Sequence, residues 1–541
     1  MMNFPLLLKT ILYRANLVYP NQEIVTRTAA GTKRYTYRDM SARAAQLAHA
    51  LDRHGVLRGA HVASFAWNND RHLELYYGVP CSGRVLHTVN IRLSPEQIVY
   101  TVNHAEDSIL FIDEDLVPLI APLASRLPTV KTYVILTDER GVDVPLPGAV
   151  SYEEFVAELP GTYDYPELDE NAPAILAYTS ATTGDPKGVL YSHRGLYLHA
   201  LTFMTGYFAL DDHDVSMPIV PMFHVNAWGR PFSDLWSGAK IVLPGPRPTP
   251  KGIADLIQSE GVTFSAGVPT VWMGMLQHVR QHPGDYDFRR VRMLISGGSA
   301  LPESLVRAYQ EELGVALYQG YGQTETSPVT FLGAPKQSIE ELPMEEQLRY
   351  RTKTGLLIPG LEMRLVDTEG NPVLHDGKSR GELLLRGPWV LDRYYNDPDA
   401  TASAFVDGWF KTGDIATMDE HGYLQIVDRS KDLIKSGGEW ISSVDLENLL
   451  MAHKDVVEAA VIGIPDPLWQ ERPLAVVVVR PDARDAVTPE RLRDFLGDHV
   501  AKFWIPDAFS FVDEIPKTSV GKFSKKALRE QYQNGELQLR R

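Results

Sequence analysis

A single cysteine, Cys81, in 541 residues excludes an intrachain disulfide, a cysteine-rich zinc site and a CxxC redox pair, and it fits a reducing, cytoplasmic compartment. Positive charge is also short. The 53 Lys plus Arg stand against 69 Asp plus Glu, a formal net charge of −16, so the basic footprint of an electrostatic nucleic-acid binder is missing. No window approaches the ~20 consecutive apolar residues of a transmembrane segment. Lys9 and Arg14 interrupt the apolar patch of residues 1–14, which has no basic leader or small-residue cleavage site; it reads as an amphipathic docking helix. The 16 histidines show no H-E-x-x-H or other close zinc spacing. Nor is there a G-x-x-x-x-G-K-[ST] loop, which disfavours the Walker-type NTPases. Internal repeats and low-complexity tracts are absent as well.

What is present is an ordinary globular composition, 44% apolar and 23% charged, in a chain long enough for roughly three to five folding units. Short apolar runs at 62–65, 108–112, 132–136, 240–243, 263–266 and 293–296 alternate with helical patterns, the signature of an α/β fold with parallel sheets. From about residue 355 the texture changes to short strands with Gly and Asp turns, at 362–366 and 381–385. A compact unit follows Asp428-Arg429: a helix over about 443–451, strands at 459–463 and 475–479, a further helix and a basic tail. The polar run 340–351 reads as a solvated helix or loop. Gly377-Lys-Ser-Arg-Gly381 matches G-x-S-x-G only formally, since it lies between a turn and a strand rather than at a strand-to-helix elbow.

The most informative segment is Tyr178-Thr-Ser-Ala-Thr-Thr-Gly-Asp-Pro-Lys-Gly-Val189. An apolar run ending at Tyr178 delivers a loop of small hydroxyl residues, two glycines and one lysine. Backbone N–H groups, hydroxyls and an ammonium are what a polyphosphate needs, which points to ATP.

Further along come Tyr321-Gly-Gln-Thr-Glu325, Gly408-Trp-Phe-Lys-Thr-Gly-Asp414, Asp428-Arg429, Lys435-Ser-Gly-Gly-Glu-Trp440 and Pro516-Lys-Thr-Ser-Val-Gly-Lys522. In this order and spacing the set resembles the acyl-adenylate-forming superfamily over essentially the whole chain. Val220-Pro-Met-Phe-His-Val-Asn-Ala-Trp228 and Lys431-Asp-Leu-Ile-Lys-Ser-Gly-Gly-Glu-Trp-Ile-Ser-Ser443 bring it closest to fatty acyl-CoA synthetases. The resemblance implies a large N-terminal domain (1–427) of two αβ layered subdomains plus a small β-barrel-like subdomain. A small mobile α+β domain (428–541) would hinge at Asp428.

It also implies a reaction, in which a carboxylic acid and ATP give acyl-AMP and pyrophosphate, and the thiol of CoA then gives acyl-CoA. Two anions must meet, so positive charge must be placed between them. Lys522 is the implied catalytic group, with Lys517, Lys525 and Lys526 deepening the local field. Thr179, Ser180, Thr182, Thr183, Gly184 and Lys187 would hold the phosphates. Gly297, Gly298, Ser299, Gly320, Tyr321 and Gly322 would flank the adenine, with Thr324 near the α-phosphate. Asp414 and Arg429 would hold the ribose, with Lys431 and Lys435 also approaching the nucleotide. Thr179 and Glu325 are the implied Mg2+ ligands, a hydroxyl and a carboxylate suiting a hard cation. Trp440, with Gly437 and Gly438, would face CoA. His224, Val225, Asn226 and Trp228 would form the acyl site, with Trp228 as its gate; Trp272 and the 267–270 turn are further lining candidates. A homodimer is the family expectation.

One position departs from the pattern: Ala181 stands where the family ordinarily has glycine, which predicts slowed adenylation. Other open readings are an aryl, short-chain or sulfur-containing acid-CoA ligase, a luciferase-like oxygenase, and a non-catalytic nucleotide- or lipid-binding relative impaired at Ala181.

Overall fold

The structure is a computed structural model and describes residues 1–540 apart from 180–184, 438, 485 and 519–522. Two large mixed sheets organise the N-terminal part. The nine-stranded sheet has a parallel centre formed by Leu317–Gly322, Met293–Gly297, Phe264–Gly267, Val215–Pro218, Lys240–Leu243 and Glu23–Thr28. Antiparallel strands close both of its edges. These strands are continuous apolar runs because helices cover the sheet, as the burial of Leu294, Phe264 and Val242 shows. The eight-stranded sheet pairs Pro173–Tyr178, Val85–Thr88, His61–Phe65, Ile109–Asp113 and Thr132–Leu136 in parallel, and the antiparallel Gly188–Ser192 and Tyr394–Tyr395 follow beyond Pro173–Tyr178. The expectation of parallel sheets therefore holds for the centres and for the Val150–Ser151 edge of the eight-stranded sheet, while the other edges are antiparallel.

The N-terminal helix Leu8–Val18 buries Leu8, Ile11, Leu12 and Ala15, the spacing of a core-facing stripe. None of the described helices is long and apolar enough to cross a membrane. The polar run near 340 forms Gln337–Glu340 and Met344–Thr352, which bury Leu348 and Arg351. The β-rich unit is an antiparallel sheet built on Glu362–Val366, Gly381–Arg386, Trp409–Met418 and Leu424–Arg429. Gly377 to Gly381 is a turn: the Asp376 carboxylate accepts from Lys378 N and Ser379 N at 2.8 and 2.7 Å.

The C-terminal part is a sheet with helices on both faces. Alternation along Val456–Asp466 and Gln470–Val479 sends Ala459, Val461, Ala475 and Val477 into one core with Leu446, Leu450 and Leu492. Ala460, Ile462, Leu474 and Val476 enter the other with Ile515 and Leu528.

Candidate active site

The parallel strands of the nine-stranded sheet end at one side of the molecule, and a cavity of about 1720 Å³ opens there. Its lining includes Val220, His224, Ala266, Gly298, Ser299, Gly320 and Tyr321, all at or just beyond the carboxyl ends of those strands. Ligands of open α/β sheets bind at such ends.

Thr179 and Lys187 close the neck of the hydroxyl-rich loop. Thr179 N donates to Lys187 O at 2.9 Å, and Lys187 N donates to Thr179 Oγ1 at 3.1 Å. Both line the cavity. The Lys187 ammonium lies 4.9 Å from the centre of the Tyr394 ring, and the Tyr394 hydroxyl donates to Glu325 Oε1 at 2.8 Å. Tyr191 donates to Thr324 O at 2.7 Å, and Leu391 N to Glu325 O at 2.8 Å, so the 321–325 turn is braced from below. Ser180, Ala181, Thr182, Thr183 and Gly184 lie outside the described residues.

The opposite wall is built by strand ends in register, Gly297 beside Gly320. A Cβ on Gly297 would sit 2.8 Å from both Gly320 O and the Trp228 ring, so glycine permits that close approach. At Gly322 the same atom would lie 1.9 Å from Pro328 O. Beyond them, Asp414 is buried within a ring of donors. Its Oδ2 accepts from the Tyr321 hydroxyl and, at 2.7 Å, from Gln323 Nε2; its Oδ1 meets Arg429 Nε at 2.8 Å. The neighbouring Asp414 carboxylate raises the Arg429 pKa, and burial, reinforced by Asp414, raises that of Tyr321. The expected base-side tyrosine and diol-side carboxylate are thus bonded directly to each other. Gln323 was not singled out from the sequence, although its place inside the Tyr321 motif could have marked it.

His224, Val225 and Trp228 line the apolar arm of the cavity with Phe203, Phe208 and Val220. Val225, Asn226, Ala227 and Trp228 have φ of 47°, 53°, 45° and 59°, followed by Gly229 at 79°: one left-handed turn made mostly of residues with a β-carbon. Each such residue stores of order 1 kcal/mol of strain. Asn226 turns into the core, where Tyr76 donates to its Oδ1 at 3.4 Å, and it is not part of the lining. Val268, Pro269 and Thr270 line the cavity, whereas Trp272 is fully buried and donates to Ile295 O at 3.1 Å as a core residue.

Asp428 is buried, and its carboxylate accepts from Arg429 N and Ser443 N, each at 2.8 Å, and from the Ser443 hydroxyl. It thereby ties the last strand of the β-rich unit to the first residue of helix Ser443–Ala452. Lys431 lines the cavity, and burial lowers its pKa. Lys435 and Trp440 face each other across an antiparallel pair with the ammonium 4.9 Å from the ring centre, outside the cavity lining. The expected basic field is largely neutralised: Lys525 is buried at 2.9 Å from Glu447, and Lys517 pairs with Glu458 at 2.8 Å. Burial pulls Lys525 down, but Glu447 and Asp428 outweigh it and its pKa ends up raised. Lys522 and Gly438 lie outside the described residues.

Such a cleft, with hydroxyl, ammonium and carboxylate groups at one end and an apolar arm at the other, suits an enzyme that joins an organic acid to a nucleotide. The chain belongs to the AMP-binding enzyme family: residues 12–395 match that family and residues 445–522 its C-terminal domain. It is 48% identical over 538 residues to a long-chain-fatty-acid–CoA ligase of Thermus thermophilus, covering 99% of this chain and 97% of the relative. It is 42% identical over 541 residues to a 3-methylmercaptopropionyl-CoA ligase of Ruegeria lacuscaerulensis, with 99% and 98% covered. Among solved structures it resembles an anthranilate CoA ligase bound to anthranoyl-AMP, with a TM-score of 0.87 at 26% identity over 99% of both chains. ATP-bound MatB of Rhodopseudomonas palustris follows at 0.83 and 27%, covering 98% of this chain and 99% of the other.

Proposed function

We propose that the chain is an ATP-dependent acyl-CoA ligase. A carboxylate oxygen of a fatty or related acid attacks the α-phosphorus of ATP and pyrophosphate leaves. The CoA thiol then attacks the acyl carbon, losing its proton, and AMP leaves. The observation that carries this reading is the continuity of one cavity from Thr179, Lys187, Glu325 and Asp414 to the apolar arm at His224 and Trp228. The relatives named as acid–CoA ligases support it at full length.

In this reading Lys187, with Ser180, Thr182, Thr183 and Gly184, orients the phosphates. Asp414 and Arg429 hold the ribose, and Lys522 bridges the carboxylate and the α-phosphate as charge develops. Residues 1–427 and 428–541 form two domains turning about Asp428, which brings Lys435, Gly437, Gly438 and Trp440 to the cleft for the thiol step. The Thr179 hydroxyl and Glu325 carboxylate line the same cavity and offer the oxygen donors a magnesium ion prefers, so they would hold Mg2+, which screens phosphate charge when bound. A cytoplasmic homodimer is part of this reading, and mass in solution tests the dimer. The function is tested by incubating a panel of fatty, aryl, short-chain and sulfur-containing acids with ATP, with and without CoA, scored for acyl-AMP and acyl-CoA by mass spectrometry. Absence of pyrophosphate release with every acid would overturn it.

A further inference from the structure

Lys187 and Glu325 are carried by different sheets. Lys187 directly precedes strand Gly188–Ser192 of the eight-stranded sheet, and Glu325 follows strand Leu317–Gly322 of the nine-stranded one. Both line the cavity, with opposite charges, and one side chain touches both. The Lys187 ammonium lies 4.9 Å from the centre of the Tyr394 ring, and the Tyr394 hydroxyl donates to Glu325 Oε1 at 2.8 Å. Tyr394 lines the cavity as well and is only 7% exposed.

The backbone explains how one residue serves both groups. Tyr394–Tyr395 pairs antiparallel with the strand that leaves the hydroxyl-rich loop, Tyr394 opposite Val189 and Tyr395 opposite Gly188. In the same segment Leu391 N donates to Glu325 O at 2.8 Å, and Tyr394 N donates to Thr401 Oγ1 at 2.9 Å. Main-chain bonds thus hold this segment to both motifs before any side chain is considered. Opposite charges on one wall attract, and an ion pair between them would take both away from a ligand. Among the described residues Lys187 and Glu325 form no ion pair. The ring face attracts the ammonium without neutralising it. A hydroxyl facing a carboxylate donates, and by bonding Oε1 it fixes the carboxylate plane and leaves Oε2 to a cation.

Resting on the acyl-CoA ligase reading, we propose that Tyr394 is a positioning residue for two groups of the ATP site, aiming the Lys187 ammonium at the phosphates and the Glu325 carboxylate at Mg2+ while keeping the two apart. The hydroxyl serves the carboxylate and the ring serves the lysine. Substitution separates these contributions.

The test measures ATP binding by calorimetry, with Mg2+ and with EDTA in its place, on the wild-type chain, Tyr394→Phe and Tyr394→Leu. Tyr394→Phe keeps the ring, so it is expected to bind ATP like wild type in EDTA. It is expected to lose about tenfold or more of the affinity that Mg2+ adds, the usual scale for the partner of a metal-ligating carboxylate. Tyr394→Leu lacks the ring too and is expected to bind ATP severalfold more weakly even in EDTA. Pyrophosphate release in Tyr394→Phe is expected to need correspondingly more Mg2+, while acyl-CoA formation from supplied acyl-AMP and CoA changes far less, a split that general damage to the fold would not give. A Tyr394→Phe chain with the full Mg2+ enhancement would overturn the proposal, as would one weakened equally with and without the metal, or a Tyr394→Leu chain that binds ATP in EDTA like wild type. In each case the wild type still binds ATP and releases pyrophosphate, so the functional reading survives; a wild type that binds no ATP would remove both.

Discussion

Asp414 and Arg429 are cross-strand partners in the β-rich unit, and their side chains meet at 2.8 Å on the cavity wall. The same carboxylate accepts from Tyr321 and Gln323, so three donors hold it before any ligand arrives. Removing its charge while keeping its shape, in Asp414→Asn, is expected to raise the KM for ATP by about tenfold or more, because an ionised acceptor is worth ~1.5 to 3 kcal/mol. Pyrophosphate release against ATP concentration measures it. An unchanged KM would remove Asp414 from the nucleotide site.

On the proposed reading, Lys522 acts in the first half-reaction alone. Lys522→Ala is therefore expected to lower acyl-AMP formation by a factor of about a hundred or more, with thioester formation from supplied acyl-AMP and CoA changed far less. Equal losses in the two half-reactions would refute a role confined to adenylation.

On the proposed reading, Ala181 stands where the resemblance implies glycine, and it carries a β-carbon that glycine lacks. If that position takes positive φ, alanine costs ~1 kcal/mol, so Ala181→Gly is expected to speed adenylation severalfold with the second step unaffected. A rate of pyrophosphate release identical to wild type would sink this explanation.

Local signals made several elements legible. The strands at Thr132–Leu136, Lys240–Leu243 and Glu362–Val366 are bounded as their apolar runs suggest, and the helix Ser443–Ala452 ends one residue later than read. What was not legible depends on distant parts of the chain. Glu23–Thr28 joins the nine-stranded sheet by pairing with Lys240–Leu243, more than 200 residues away, and no local pattern encodes that. Tyr394, which links Lys187 to Glu325, carries no motif of its own. The charge of Lys525 looked available because sequence cannot show Glu447 beside it. The left-handed turn at Val225 to Gly229 runs against the intrinsic preference of Val225, Ala227 and Trp228. Such violations of local rules concentrate at functional sites.

That turn leads to a packing prediction. Gly297→Ala would push a methyl group against the Gly320 carbonyl and the Trp228 ring at once. Overpacking of this kind costs ~1 to 3 kcal/mol. The variant is expected to lose stability and acid turnover together, and a further Trp228→Ala change is expected to restore part of the stability, since it relieves one of the two contacts. Denaturant unfolding of the single and double variants measures this; a double variant no more stable than the single would place the strain elsewhere.

His199 supplies a pH dependence. It is fully buried between Phe203 and Trp389, and its Nε2 accepts from Val329 N at 3.2 Å, so the neutral ring is the form the fold holds. Burial pushes its pKa from 6.5 down to about 3. In the unfolded chain the ring takes up a proton near its ordinary value, while in the folded chain it does not, so the unfolded state binds more protons between those two values. Stability from this group is complete above the unfolded pKa and is lost as pH falls toward the folded one, at about 1.4 kcal/mol per pH unit within the window. His199→Gln, which keeps an acceptor for Val329, removes that titration. His72 and His193, also pushed down to about 4, titrate in both proteins and cancel in the difference. The same holds for Asp113, which burial lifts to about 7 and which works in the opposite direction. Urea unfolding at about pH 7, 6 and 5 is therefore expected to show wild type losing its advantage over the variant by about 2 kcal/mol across the window. Parallel stability curves would mean that the ring already carries a proton in the folded protein.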